Sequence, residues 1–107
     1  MKKKRSETEI QRTICEYLKL KGYFFTRTNN TPVFDHKRGA YRALGKYVMR
    51  GFPDILVLYQ GQCIAIEVKS ETGRLSKEQK EFRARFIAAG GAYIVARNVS
   101  DLIDKGL

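Results

Sequence analysis

Residues 51–69, GFPDILVLYQGQCIAIEVK, decide how this sequence folds. Two apolar runs flank Gln60-Gly61, a dipeptide that suits a tight two-residue turn. The stretch therefore predicts a β-hairpin with strands at about 54–59 and 62–69. It is the most apolar hairpin that the chain offers, yet it contains two acids and a lysine.

The predicted register brings these charged side chains together. With a two-residue turn, Tyr59 lies opposite Gln62, and counting outwards places Asp54 opposite Glu67 with their Cβ atoms ~5 Å apart. Lys69 projects to the same face as Glu67, because side chains alternate along a strand. Opposed like charges destabilise a hairpin unless a cation joins them, although a three-residue turn would shift this register by one. The alternative interpretation is a salt bridge between Glu67 and Lys69 on a solvated sheet face.

The rest of the chain supplies the elements of an α/β sandwich in a single domain, residues 1–107, with a basic tail at 1–5. The first predicted element is a helix over about 7–20, with Ser6 and Glu9 as a capping box, and a strand over 23–28 follows it. After the hairpin, a second helix begins at the capping box Ser76–Gln79 and ends at about Ala89. A strand over 92–96 and a short terminal helix or turn capped by Ser100 complete the chain. The order α-β-β-β-α-β indicates an α/β fold with a mixed β-sheet flanked by helices.

The net charge of +10 is concentrated in the first half of the chain. Residues 1–50 hold 13 lysines and arginines against four acids, whereas residues 51–107 hold eight against seven. This asymmetry is typical of a surface that binds a polyanion, and a solubilising basic surface is an equally good interpretation of charge alone.

Residues 29–50 have no clean period and are interpreted as a long functional loop with short strand pieces. The candidates for contacts with nucleic-acid phosphates are Arg27, Lys37, Arg38, Arg42, Lys46 and Arg50. Three aromatic residues of the loop, Phe34, Tyr41 and Tyr47, are candidates for an interface or for stacking on bases.

The first helix adds a third candidate acid. Glu7 falls about 60° from Ile10 around the helix, inside the apolar stripe that we expect to be buried. A carboxylate in that position is costly unless it is paired or binds a metal. Three carboxylates and a lysine at one place suit a hard divalent cation such as Mg²⁺.

Other features narrow the class of protein. Cys15 and Cys63 lie in apolar patterns and are interpreted as buried, reduced thiols of a cytosolic protein. With the single His36 they are too few and too scattered for a zinc site. No apolar run reaches the ~18 residues of a membrane span. The sequence also lacks a Gly-rich phosphate loop and a Ser/His or Cys/His pair, which argues against a transferase or a small-molecule hydrolase.

The acids and the lysine resemble the PD-(D/E)xK nuclease superfamily, in which an acid after proline on one strand is paired with E-x-K on the next. Pro53-Asp54 and Glu67-Val68-Lys69 have that pattern, with twelve residues between the acids. The longer combination, which adds Glu7, Gly51 and Gln79, is similar to the VRR-NUC (virus-type replication-repair nuclease) domain of the stand-alone phage or bacterial type. The similarity extends from Glu7 to about residue 104 and implies a restriction-endonuclease-like αβββαβ core.

The resemblance also implies roles for individual residues. Glu7, Asp54 and Glu67 would bind Mg²⁺ or Mn²⁺, with the Val68 carbonyl as a further ligand, Lys69 as the catalytic lysine and Gln79 at the edge of the site. Glu9 is left open as the alternative helix ligand, and Gln79 has a second interpretation as the N3 residue of its capping box.

The activity that the resemblance implies is metal-dependent, structure-selective DNA cleavage. Stand-alone members are similar to archaeal Holliday-junction resolvases, so we expect a homodimer that cuts four-way junctions in DNA repair or recombination. The expected location is the cytoplasm of a bacterium or of a phage-infected host. Two alternatives stay open: a nuclease for flaps, nicked duplex or RNA, and a non-catalytic module that binds nucleic acid.

Overall fold

A computed structural model describes residues 4–28, 34–41 and 45–107 of the chain. Its elements are α1 (Glu7–Leu20), β1 (Phe24–Arg27), β2 (Phe34–Asp35), β3 (Ala40–Tyr41), β4 (Ile55–Tyr59), β5 (Gln62–Val68), α2 (Lys77–Ala88), β6 (Ala92–Ala96) and α3 (Val99–Asp104). The main sheet has the strand order β1-β4-β5-β6, and β2 pairs with β3 in a separate hairpin. None of the helices in these ranges is long and apolar enough to cross a membrane.

The predicted mixed sheet flanked by helices is confirmed. β1 pairs with β4 and β4 pairs with β5 in antiparallel orientation, whereas β5 and β6 are parallel and joined through α2. The αβββαβ core consists of α1, β1, β4, β5, α2 and β6. The short β2-β3 hairpin lies in the predicted loop, and α3 follows the core.

The two-residue turn of the central hairpin is also confirmed. Gln60 and Gly61 both have positive φ angles, 50° and 78°, as a type I′ turn requires. Tyr59 lies opposite Gln62, and Ile55 opposite Ile66. The register therefore leads outwards to Asp54 and Glu67, as the sequence predicted.

One face of the sheet carries the apolar core. The core residues are Ile10, Ile14 and Leu18 of α1, Ile55 and Val57 of β4, Ile64, Ile66 and Val68 of β5, Ile94 and Ala96 of β6, and Leu102 and Leu107 near the C-terminus. Alternation along β5 turns Ala65 and Glu67 to the opposite face. On that face Phe82 is the buried residue of α2 and lies near Tyr93 of β6, with ring centroids 6.4 Å apart.

Three local predictions need correction. Asn98, not Ser100, caps α3: its Oδ1 accepts from the Asp101 amide at 2.9 Å, and its backbone is extended while Ser100 already lies in the first turn. Only half of the predicted Ser6–Glu9 capping box forms: Ser6 Oγ accepts from the Glu9 amide at 3.1 Å, but the Glu9 side chain does not accept from the Ser6 amide. Cys15 and Cys63 are free thiols, but they are half-buried rather than buried.

The corrected cap predicts a difference between two neighbouring substitutions. Asn98→Ala should lower the free energy of unfolding by about 1 kcal/mol, because the first turn of α3 loses its side-chain acceptor. Ser100→Ala should change it by less than about 0.5 kcal/mol. Urea unfolding followed by circular dichroism measures both values, and equal losses would contradict the assignment of Asn98 as the cap.

Candidate active site

Glu67 is the charged residue around which the candidate site forms. Only 2% of it is exposed, and no other polar or charged residue in the described ranges is buried. Lys69 Nζ lies 3.9 Å from Glu67 Oε1, and its side chain is 12% exposed. This ion pair does not lie on a solvated sheet face, so the ordinary surface salt bridge that the sequence left open is wrong.

Asp54 is held opposite Glu67 by backbone contacts on both sides. Its Oδ2 accepts from the Val68 amide at 2.8 Å, beyond the last pair of the β4-β5 ladder. Its carbonyl accepts from the Thr28 amide at 2.9 Å, and the Thr28 hydroxyl donates to the Pro53 carbonyl. Asp54 is therefore fixed between β1 and β5 where the hairpin opens.

Gln79 has both roles that the sequence suggested. Its Oε1 accepts from the Ser76 amide at 2.8 Å and its backbone amide donates to Ser76 Oγ at 3.1 Å, which completes the capping box of α2. Its Nε2 donates to Glu67 Oε1 at 2.8 Å. One side chain thus connects the first turn of α2 to the buried carboxylate.

Gly51 allows the chain to pass against this same turn. Its φ is +70°, and a Cβ added there would lie 2.4 Å from the Glu78 carbonyl oxygen and 2.7 Å from the Gln79 nitrogen. The next residue, Phe52, packs edge-on against Phe82 with ring centroids 5.2 Å apart. Any other residue at position 51 would have to displace the backbone that presents Gln79.

The electrostatics of the site favour protonation of Glu67 in the metal-free protein. Its pKa is raised from 4.5 to about 8, mainly by burial, then by the charge of Asp54 and by the hydrogen bond that a protonated Glu67 shares with Asp54. Lys69 acts in the opposite direction. When both carboxylates are ionised they can only accept, and no described residue donates a hydrogen bond to Glu67 Oε2. An oxygen-rich pair of this kind fits a hard divalent cation.

Glu7 differs from its predicted position in the apolar stripe. It is exposed, because it is the first residue of α1 and lies ahead of the buried Ile10. Its charge still raises the pKa of Glu67, so it lies near the site. Within the ranges that the structure covers, no three His, Cys, Asp or Glu side chains are placed to hold a metal ion. The structure therefore brings Asp54 and Glu67 together but does not assemble Glu7 with them.

Five of the six residues predicted to contact phosphates are exposed in the described part of the chain. Arg27, Lys37, Arg38, Lys46 and Arg50 are exposed, whereas Arg42 lies outside the described residues, as do the side chains of Phe34 and Tyr41. Tyr47 is 88% exposed, with Lys46 Nζ 5.6 Å from its ring centroid. Of the three loop aromatics, Tyr47 is the one whose exposure is established.

Three further residues around the site have no signal in the sequence. Thr28 fixes Pro53-Asp54, and Arg97 Nη1 donates to the Ser70 carbonyl and, at 2.7 Å, to the Gly73 carbonyl. The Tyr93 hydroxyl is buried and has no hydrogen-bond partner among the described residues, and its pKa is raised mainly by burial and next by the charge of Glu67. The contacts of Thr28 and Arg97 join residues 24 to 27 positions apart, and no local motif signals them.

Comparison with known proteins shows the family and the fold. The model of the VRR-NUC domain family matches residues 5–100. The chain belongs to the VRR-NUC family. A solved structure described as a VRR_NUC domain superposes with a TM-score of 0.65 at 20% identity, covering 96% of this chain and 100% of that one, which shows the shared fold. No curated protein matches the sequence significantly.

Membership gives the site its chemical class. VRR-NUC domains are nucleases of the PD-(D/E)xK type, with DNA as the implied substrate. The residues of that motif in this chain, Asp54, Glu67 and Lys69, are the ones that converge at the end of β5.

The close approach of Gly51 predicts a specific loss of function. Gly51→Ala should lose about 1–2 kcal/mol from its left-handed backbone, and more from the clash that displaces the first turn of α2. The matched control is Gly61→Ala, which has φ +78° but open space around its Cβ. Urea unfolding should show a larger loss of stability for Gly51→Ala than for Gly61→Ala. In a nuclease assay, Gly51→Ala should lose activity and Gly61→Ala should keep it. Equal behaviour of the two variants would contradict this role.

The raised pKa of Glu67 predicts how the stability of the metal-free VRR-NUC domain depends on pH. The folded state holds a proton that the unfolded state has lost, so this contribution is present below pH 4.5 and disappears as pH rises through about 8. Each unit of pKa difference corresponds to about 1.4 kcal/mol. Glu67→Gln mimics the protonated acid and should not show the decline.

The measurement is the unfolding temperature in EDTA from pH 5 to 9. We expect the wild type to become progressively less stable than Glu67→Gln as pH rises, because other titrating groups contribute to both proteins. Glu16→Gln, which removes one carboxylate from an exposed position, controls for the change in net charge. Parallel curves for wild type and Glu67→Gln would show that Glu67 is not perturbed.

Proposed function

We propose that this VRR-NUC domain is an Mg²⁺- or Mn²⁺-dependent endonuclease that cleaves branched DNA, with the four-way junction as its preferred substrate. The observation that supports this proposal is the pair formed by the buried Glu67 and the half-buried Asp54, whose ionised form lacks a compensating donor at Glu67 Oε2 among the described residues. Two adjacent carboxylates that are shielded from water are unfavourable without a cation. We further propose that it acts as a homodimer in the cytoplasm of a bacterial cell or an infected host.

The residues divide the work of holding a cation. Asp54 and Glu67 would be its protein ligands, with the Val68 carbonyl and Glu7 as additional candidates. When bound, the ion would supply an acidified water as nucleophile and neutralise charge on the scissile phosphate. Gln79 occupies Glu67 Oε1 and leaves Oε2 available. The Val68 amide likewise orients Asp54.

Lys69 is the residue suited to act on the reacting groups. Its ammonium group lies 3.9 Å from Glu67 Oε1 and is largely shielded from solvent. A cation with little water around it interacts more strongly with a nearby phosphate than an exposed one. Lys69 would therefore orient the attacking water or stabilise the charge that develops on the phosphate.

The preference for branched DNA rests on the number of sites and on the surface charge. One chain offers one such pair of acids, and resolution of a four-way junction requires two related cuts, which a C₂ dimer supplies. Lys46 and Arg50, two exposed cations in the segment that precedes Gly51, are suited to phosphate contacts.

A cleavage assay tests the proposal. End-labelled four-way junction, flap, nicked duplex, linear duplex and single-stranded RNA would each be incubated with Mg²⁺, Mn²⁺ or EDTA. Asp54→Ala and Lys69→Ala should lower junction cleavage by about 10²–10⁴-fold. Glu16→Ala and Lys21→Ala, which remove the same charges from exposed positions on α1 and at its C-terminus, should cleave normally.

Each other outcome removes a defined part of the proposal. Binding of DNA without cleavage under any metal would leave a non-catalytic binding module. Preferential cleavage of flaps, nicks or RNA would keep the active site but overturn the junction preference. Mn²⁺ should raise the unfolding temperature of wild type but not of Asp54→Ala, and equal shifts would place the metal elsewhere. A monomer on the junction, measured by light scattering, would exclude the homodimer.

A further inference from the structure

A second cationic surface lies outside the segments that the sequence singled out. An open groove of about 510 Å³ runs along β6 between α2 and α3. Because β6 is an edge strand of the sheet, the groove follows an edge that no other strand of the described sheet covers. Five lysines and arginines line it against two aspartates. We call this the β6-edge groove.

The β6-edge groove is connected to the candidate active site by the loop that follows Lys69. The Lys69 amide donates to the Ala96 carbonyl at 3.0 Å, so the residue after β5 is bonded to the residue before Arg97. Arg97 in turn binds the Ser70 and Gly73 carbonyls, and the Gly73 amide donates to Ser70 Oγ. The loop that follows Lys69 is therefore fixed in place and leads directly into the groove.

Three of its cations are available for an anion. Arg74 and Lys80 are exposed and Arg83 is half-buried, and within the described part of the chain none of them forms an ion pair with a carboxylate. The carboxylate of Asp101, by contrast, accepts from the Arg97 amide at 2.8 Å. Arg74, Lys80 and Arg83 therefore give their part of the groove a net positive charge.

We propose that the β6-edge groove binds backbone phosphates of the DNA beyond the scissile position, through Lys80, Arg83 and Arg74. This inference rests on the proposed function only in taking DNA as the ligand. An extended peptide added to the β6 edge would use the same strand, but it would not require an excess of unpaired cations. Phosphates spaced along a strand match such cations and need no sequence-specific contact.

The groove changes the expected course of DNA across the domain. Residues 45–50 lead to the site through Gly51, whereas the β6-edge groove is joined to it by the loop after Lys69. DNA held by both would be contacted on two separate surfaces with the acids between their points of attachment. A branched substrate has two helical arms that can occupy two such surfaces at once.

The test compares two charge-matched double variants for binding rather than cleavage. Lys80→Gln/Arg83→Gln removes two cations of the groove but keeps long side chains. Lys19→Gln/Lys21→Gln removes two exposed cations at the C-terminal end of α1. Both would be made in full-length protein carrying Asp54→Ala, and the Kd for junction and linear duplex would be measured in EDTA at several salt concentrations.

The expected result is a weaker affinity and a flatter salt dependence for the groove variant alone. Loss of two phosphate contacts should reduce the slope of log Kd against log salt by about 1.8, at roughly 0.9 per contact. A slope and Kd equal to those of Lys19→Gln/Lys21→Gln would overturn the proposal and leave the edge of β6 for another partner. Circular dichroism of each variant excludes misfolding as the cause.

Failure of the groove and failure of the nuclease are distinguishable. The groove variant in the Asp54 background reports binding only, so its result stands whether or not the wild type cleaves DNA. If wild type cleaves the junction but Lys80→Gln/Arg83→Gln in the Asp54→Ala background binds it as tightly as Asp54→Ala alone, the groove is excluded and the nuclease is not.

Discussion

The structure depends on one unfavourable placement, a carboxylate buried at the end of the central strand. Glu67 is turned away from the apolar core by the alternation of β5, yet it is covered on its other side by α2. Its neighbours compensate only part of the cost, because Gln79 donates to one oxygen and Lys69 stays 3.9 Å away. Within the ranges that the structure describes, the second oxygen has no donor. A buried charge is weak evidence for stability, so this placement supports the proposal that a cation completes the site.

The same carboxylate couples the helix cap to the chemistry. The side-chain amide of Gln79 completes the capping box of α2 through its Oε1 and donates to Glu67 through its Nε2. The capping box does not require Glu67. Loss of the Gln79 side chain, by contrast, would remove the hydrogen bond to Glu67 and leave Lys69 as its compensating partner. Gly51 belongs to this arrangement, because the chain passes against the Gln79 turn with no room for a side chain. The glycine and the Pro-Asp pair of the motif are thus linked by geometry: one admits the helix turn, and the other places Asp54 against Val68.

Local patterns predicted most of the fold and the centre of the site. The register of the hairpin follows from the length of one turn, and it places Asp54 opposite Glu67 without knowledge of the rest of the chain. The position of Glu7 was less predictable: helical periodicity gives its angle around α1 but not how far the sheet extends beneath the first turn. Asn98 was missed because the end of β6 sets where α3 begins. Contacts such as Arg97 with Ser70 depend on two loops meeting in space, and periodicity carries no information about them.

The charge of the second half shows why segment totals conceal surfaces. Residues 51–107 are nearly neutral in total, but within the described part of the chain Lys69, 3.9 Å from Glu67, is the one cation of this half that forms an ion pair. Asp54 and Glu67 face each other at the site, and Glu78 and Glu81 line a separate cavity beside α2 with Arg50 and Arg85. The cations left along β6 then dominate their own region, since charges more than about 10 Å apart are largely screened at 0.1 M salt. The electrostatic potential of a surface therefore depends on where the fold places its acidic side chains. The net charge of a sequence segment does not contain that information.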